Sequence, residues 1–180
     1  MKRLNLLDLV YISLFAGIMA ICAWIFVPAP VPFTLQTLGL FLSVGILGGK
    51  RGFFSVLLYL LLGLVGVPVF SGFTGGFSAF AGLYGGYLIG FLLASLAMWL
   101  FMHFFKGRRF ALTASMIIGL LICYLTGALW FVLVHARTAG SVGLIFTLTT
   151  CVLPFILPDA IKIALAVLIS KRVSKFIRQY

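Results

Sequence analysis

Apolar residues run in long unbroken stretches along this chain, and polar side chains gather at the joints between them. A membrane-crossing helix needs about 20 apolar residues, with about 17 as the short limit. The first stretch covers residues 9–27 and stops at the proline-rich PAPVP segment, 28–32. A short second one, 34–48, ends at the GGKRG turn. The others cover 53–69, 84–105, which ends at KGRR, and 110–135, with a last one opening near Val142 and closing on a basic tail. This pattern predicts an all-α integral membrane protein of six transmembrane helices, with residues 1–180 forming a single membrane domain.

Composition agrees with that solvent. Of 180 residues, 64% are hydrophobic and 8% charged, against about 25% charged in ordinary soluble domains. Thirteen Lys and Arg face two acids, Asp8 and Asp159, for a net charge of +11. Two acids exclude a carboxylate-rich metal site, and the apolar content excludes a disordered basic tail. Nucleic-acid binding would need the cations on one solvated surface. Instead they fall in short clusters at the ends of the apolar stretches: Lys2/Arg3, Lys50/Arg51, Lys106/Arg108/Arg109 and Lys171/Arg172/Lys175/Arg178. Alternating six spans from a cytoplasmic N-terminus puts these eleven inside, with Arg137 outside and Lys162 within the last span. The inverted arrangement breaks the positive-inside rule, so both termini are expected in the cytoplasm. The first stretch lacks a small-x-small cleavage site near Val27, which favours an uncleaved helix over a signal peptide. Cys22, Cys123 and Cys151 lie in apolar stretches without CxxC spacing and are expected as core filler, with no metal bound.

Membrane helices associate through small residues that let backbones approach. Gly82, Gly86, Gly90 and Ala94 recur at a spacing of four, and Ser13/Gly17 and Ala16/Ala20 do so in the first span. Internal packing is the default for such stripes; the first span is the best candidate for docking a partner membrane protein.

An ionisable side chain inside a bilayer costs about 2.5–3.5 kcal/mol on the insertion scale, which makes it a functional candidate. Asp159 and Lys162 qualify, three residues apart and so on one helix face. Pro158 before Asp159 fits the first turn of a helix, which would put the carboxylate near a helix N-terminus in a broken last span. Two readings stand: a structural pair that neutralises itself, or a polar pocket for a small solute. Thr34, Gln36 and Thr37 add hydrogen-bonding groups at the start of the second span, with Thr34 as helix cap the plainer role. The loop 70–86, FSGFTGGFSAFAGLYGG, is uncharged and glycine-rich; Phe73, Phe77, Phe80 and Tyr84 are expected to cover an apolar ring system, or else to hug the membrane. No GxxxxGK[ST] phosphate loop is present, so ATP hydrolysis by that route is excluded.

The strings PFTLQT (32–37), YLLLGLVGVPVFSG (59–72), GLYGGYL (82–88) and PFILPDAIK (154–162) occur in an order and spacing that closely resemble the BioY family, over residues 15–166. Its members are the biotin-specific S components of energy-coupling-factor transporters. The resemblance implies a non-enzymatic cell-membrane subunit that captures biotin from outside, without a cofactor, beside a transmembrane T component and cytoplasmic ATPases. It implies that Asp159 and Lys162 contact biotin; Thr34, Gln36, Phe73, Gly75, Tyr84 and Tyr87 are expected to complete the substrate-binding set. The family's AxxxA docking feature corresponds to Ala16 and Ala20. Two departures stand out: GLYGGYL replaces GPTGGYL, which is expected to alter a pocket contact, and Pro158 replaces a glycine, stiffening the approach to Asp159. The residues by themselves leave two alternatives: an S component for another vitamin, or a non-transport membrane protein with a structural Asp–Lys pair.

Overall fold

Helices form along the apolar stretches that predict them. The computed structural model describes residues 5–28, 31–106, 108, 110–138 and 143–177. Lys2, Arg3, Arg109 and Arg178, Ala29 and Pro30 of the PAPVP segment, and Val142 lie outside the described residues, as does the side chain of Lys175. The order is α1 (Leu6–Trp24), β1 (Phe26–Val27), β2 (Phe33–Thr34), α2 (Gln36–Leu47), α3 (Gly49–Leu64), α4 (Phe77–Ala81), α5 (Gly85–Phe104), α6 (Ala111–Thr138), α7 (Leu144–Cys151) and α8 (Leu153–Ile177). Four helical stretches, α1, α5, α6 and the joined α7–α8, are long and apolar enough to cross a membrane. Helices α2 and α3 are shorter, at 12 and 16 residues.

Three local features differ from the expectations. The chain is not purely helical: residues before α2 pair as an antiparallel ribbon, Phe26 opposite Thr34 and Val27 opposite Phe33. The prolines on this segment explain it, because proline lacks an amide hydrogen and pushes its predecessor into extended backbone. Thr34 is therefore in a strand, not the helix cap. The last span breaks at Val152 (φ −128°, ψ −59°) instead of at Pro158, which lies inside α8. Asp159 consequently sits in the second turn of α8, not the first. Alanines 16 and 20 are 2% and 6% exposed, packed in the main core with Met19 and Leu40, so they do not form an open docking face. The open small positions of α1 are Ser13 and Gly17, and a Cβ added at Gly17 would meet nothing within 4 Å.

The glycine stripe of α5 packs against α6, the most extensively packed helix pair. A Cβ at Gly86 would run into the Trp130 side chain and the Thr126 carbonyl, and one at Gly90 into the Thr126 hydroxyl. Elsewhere along α6, Ile117, Leu121, Leu125, Leu129 and Leu133 recur every four residues and are all 46–61% exposed. A continuous apolar stripe of this kind is suited to lipid tails.

Close contacts also show which helix ends lie together. Gly49 at the start of α3 abuts Trp99 of α5, and Gly45 near the end of α2 abuts Ser170 of α8 and Met116 of α6. Arg51 pairs with Asp8 at 2.6 Å, tying α3 to α1, while Asp8 also accepts from the Asn5 amide at 3.0 Å and so caps α1. The cations at this end are Lys50, Arg51, Lys106, Arg108, Lys171 and Arg172.

The α5–α6 seam yields a contrast between two glycines. Gly86→Leu overpacks it at a cost of about 1–3 kcal/mol, lowering the unfolding midpoint in detergent by several degrees. Gly17→Leu gains the same helix propensity in open space and leaves the midpoint at or above wild type. Thermal unfolding of the two purified variants measures both.

Candidate functional site

At the end of the bundle away from those cations, the late start of α2 leaves room that no helix fills. The ribbon, the segment after α3, and the first turns of α5 and α8 surround a cavity of about 580 Å³, with Cys123 and Tyr124 of α6 on its wall. That volume lies in the range of small-molecule sites, about 300–1,000 Å³. Its walls are mainly apolar and aromatic, including Phe26, Phe70, Phe91 and Phe155 with Tyr84, Tyr87 and Tyr124.

The polar groups converge on one flank. Asp159 and Lys162 are 2% and 4% exposed and line the cavity together. Their spacing on α8 brings Lys162 Nζ to 2.8 Å from Asp159 Oδ1. Nζ also donates to the Thr34 carbonyl at 2.7 Å and to Thr37 Oγ1 at 3.1 Å, so three acceptors meet its three hydrogens. Thr37 Oγ1 in turn donates to Asp159 Oδ1 at 3.0 Å, and the Tyr124 hydroxyl donates to Oδ2 at 2.7 Å. The Phe33 ring covers the ammonium, its centroid 4.2 Å from Nζ. A buried charge pair is stable only when the remaining donors and acceptors are also satisfied, and here they are. Self-neutralisation and presence in a pocket are thus both true of this pair.

Beside it, Gln36 is held at both ends. Its Oε1 accepts from the Thr34 hydroxyl at 2.9 Å, and its Nε2 donates to the Tyr59 hydroxyl at 2.6 Å. The Thr34 hydroxyl also accepts from the Gln36 amide at 3.2 Å. Tyr59 is fully buried and passes its own proton toward the Val69 carbonyl at 3.2 Å, linking α2 to the segment after α3. On the opposite wall the Tyr87 hydroxyl donates to the Cys151 carbonyl at 2.7 Å, at the end of α7.

Six of the eight expected substrate-binding residues therefore line one cavity: Asp159, Lys162, Thr34, Gln36, Tyr84 and Tyr87. Two are placed elsewhere. Phe73 is 61% exposed and stacks on Trp24 at 5.2 Å, outside the wall. Gly75 is a packing position, where a Cβ would strike the Val67 carbonyl. Of the other loop aromatics, Phe77 points away, 73% exposed, and Phe80 packs edge-on against Phe70. Tyr124 and Phe33, which sequence reasoning missed as site residues, sit directly on the ion pair; Phe33 lies within the PFTLQT string, whereas no local motif marks Tyr124. The three cysteines are buried and free. Among the described residues, no three His, Cys, Asp or Glu side chains converge as metal ligands.

An aromatic-walled cavity with one hydrogen-bonded ion pair can hold a small solute with an apolar body and polar ends. The comparisons with known proteins bear on which solutes such a site takes. Residues 1–179 match the profile of the BioY family. The chain is 40% identical over 172 residues to the biotin transporter BioY of Thermotoga maritima, covering 93% of this chain and 96% of that one. It is 39% identical over 162 residues to a probable biotin transporter BioY of Pyrococcus horikoshii, covering 89% and 92%. The fold superimposes with a TM-score of 0.82 on a crystal structure described as the S-component for biotin from an ECF-type ABC transporter, at 29% identity over 93% of this chain and 90% of that one. With the family's profile spanning the chain and the same fold at that depth of overlap, this protein belongs to the BioY family.

Proposed function

We propose that this chain is the substrate-capture subunit of an energy-coupling-factor transporter and binds biotin in the 580 Å³ cavity. The observation that carries the reading is the buried Asp159–Lys162 pair on the wall of an aromatic enclosure, in a chain related over nearly its whole length to biotin transporters. The bicyclic ring and aliphatic chain of biotin suit the aromatic walls. Its ureido group and carboxylate suit a flank that offers both an acceptor in Asp159 and a cation in Lys162. The work is capture and delivery, not catalysis.

In this reading the chain is a single six-span domain in the cell membrane. The helix ends that carry Lys50, Arg51, Lys106, Arg108, Lys171 and Arg172 face the cytoplasm with both termini, and the cavity opens outward. The energy comes from a T component and cytoplasmic ATPases. Because Ala16 and Ala20 are enclosed, the T component docks on α1 through the open notch at Ser13 and Gly17, with exposed Val10, Leu14 and Ile21 around it.

Binding by the purified protein tests the site. Asp159→Asn and Lys162→Ala each weaken biotin binding by about 100-fold or more, the scale of truncating one partner of a buried charge pair. Each also destabilises the fold, because the other charge is left unpaired. The double variant Asp159→Asn/Lys162→Met recovers the unfolding midpoint yet still fails to bind. Wild-type affinity in either single variant removes the pair from the site, and tighter binding of a different vitamin redirects the substrate.

Uptake tests the partnership. Radiolabelled biotin accumulates in cells that co-express the energising module and falls several-fold without it. Gly17→Trp preserves biotin binding by the isolated chain while reducing uptake with the module; undiminished uptake by this variant moves the docking face elsewhere on the chain.

A further inference from the structure

Arg137 is the one cation that the charge sorting places outside the spans on the cavity side, and it borders a second concavity of about 490 Å³. We propose that this groove, between α4 and α6, binds an anionic phospholipid, with the lipid phosphate on Arg137 and an acyl chain in the groove.

Charge complementarity within the chain is already exhausted. The chain has two acidic side chains; Asp8 is held by Arg51 and Asp159 by Lys162. No carboxylate side chain remains for Arg137, so its counter-charge comes from outside the chain. Arg137 is exposed at the last turn of α6, and among the described residues it is the sole ionisable group on the groove's lining. Its flat donor fork matches phosphate oxygens two at a time.

The rest of the groove is shaped for a hydrocarbon chain. Trp130, Leu133 and Arg137 lie along one face of α6, so the groove extends about 10 Å from the guanidinium down to the indole. The Trp130 indole is fixed by donating to the Gly82 carbonyl at 2.9 Å, which makes it a firm floor. Phe77 and Leu133, 73% and 59% exposed, open the groove sideways to the bilayer, and Leu64 and Ala81 complete its apolar walls. A tryptophan at the foot and an arginine reaching to headgroup level is the depth order a lipid with its phosphate at the interface requires. An anionic lipid is favoured over a zwitterionic one because the latter brings its own cation next to Arg137.

The groove also shares a wall with the first cavity. Helix α4 presents Ser78 and Ala79 to the main cavity and Phe77 and Ala81 to the groove. A seated acyl chain therefore braces the back of that wall.

Native mass spectrometry of the delipidated full-length protein, titrated with phosphatidylglycerol or phosphatidylcholine, tests the proposal. Wild type retains one phosphatidylglycerol per chain in preference to phosphatidylcholine. Arg137→Gln weakens phosphatidylglycerol retention about tenfold, and Ala81→Trp, which fills the groove without touching the arginine, does the same. Unchanged biotin binding by Arg137→Gln establishes that the variant is folded. Equal retention by wild type and Arg137→Gln, or equal retention of the two lipids, overturns the proposal. So does efficient disulfide cross-linking between two copies of an Ala81→Cys variant in nanodiscs, which would put a second copy of the chain in the groove.

Discussion

The hydrogen bond from Lys162 Nζ to the Thr34 carbonyl, 2.7 Å long, is the point on which this architecture turns. Hydrocarbon offers no partner to a free backbone group, so non-helical chain at membrane depth survives only when it is enclosed by protein or lines a cavity. Here α2 is 12 residues long, about 18 Å, and the ribbon ahead of it has to be satisfied without a helix. The ribbon pairs with itself, and the Leu35 amide reaches back to the Cys22 and Ile25 carbonyls at 3.2 Å. Thr34, the last ribbon residue, receives the ammonium. Asp159 holds that ammonium in place, and Thr37 and Tyr124 hold Asp159. The short helix, the ribbon, the ion pair and the cavity are thus one solution to one problem: truncating α2 opens the space, and the pair makes the truncated end stable.

What was legible in the sequence follows from large, local costs. The insertion cost of a charge singled out Asp159 and Lys162 among 180 residues, and the uncharged lengths between basic clusters located the apolar helices. The small-residue stripe of α5 packs internally, as its spacing predicts, because a backbone approach of that closeness tolerates nothing larger. What was not legible is rotation about helix axes. In α1, Ser13, Ala16, Gly17 and Ala20 lie among apolar residues all the way round, so no polar face shows which small pair is enclosed. The structure encloses the alanines and leaves Ser13 and Gly17 open. Tyr124 was invisible for the same reason. Its partner is 35 positions away, on another helix, and only the packing angle of α6 against α8 brings its hydroxyl to the carboxylate.

Loop 70–86 failed differently. Its four phenylalanines look equivalent in the sequence, but the chain sends each to different surroundings: Phe70 lines the cavity, Phe80 packs edge-on against Phe70, Phe73 stacks on Trp24, and Phe77 is exposed on the second groove. Gly72 and Gly76 make that division possible by adopting φ of +69° and +87°, which reverse the chain on either side of Phe73. Composition showed that the loop bends; it did not show in which direction each ring would leave the bend.

Pro158 illustrates how a proline inside a helix is absorbed. A proline inside a helix removes one hydrogen bond and crowds the carbonyl four residues earlier, here that of Pro154. Because α8 begins at Leu153, that carbonyl belongs to the first turn, next to the break at Val152 where the backbone is already irregular. The cost therefore falls where the helix is least continuous, and the segment that carries Asp159 and Lys162 begins just beyond it with its ladder intact. A proline one turn later, at 162, would replace Lys162 itself and take the ammonium out of the pair, so a proline is accommodated at 158 and disruptive at 162. The position of the helix break, at Val152 just ahead of Pro154 and a full turn before Pro158, is what makes a stiff approach to the ion pair compatible with a helix that still presents both charges on one face.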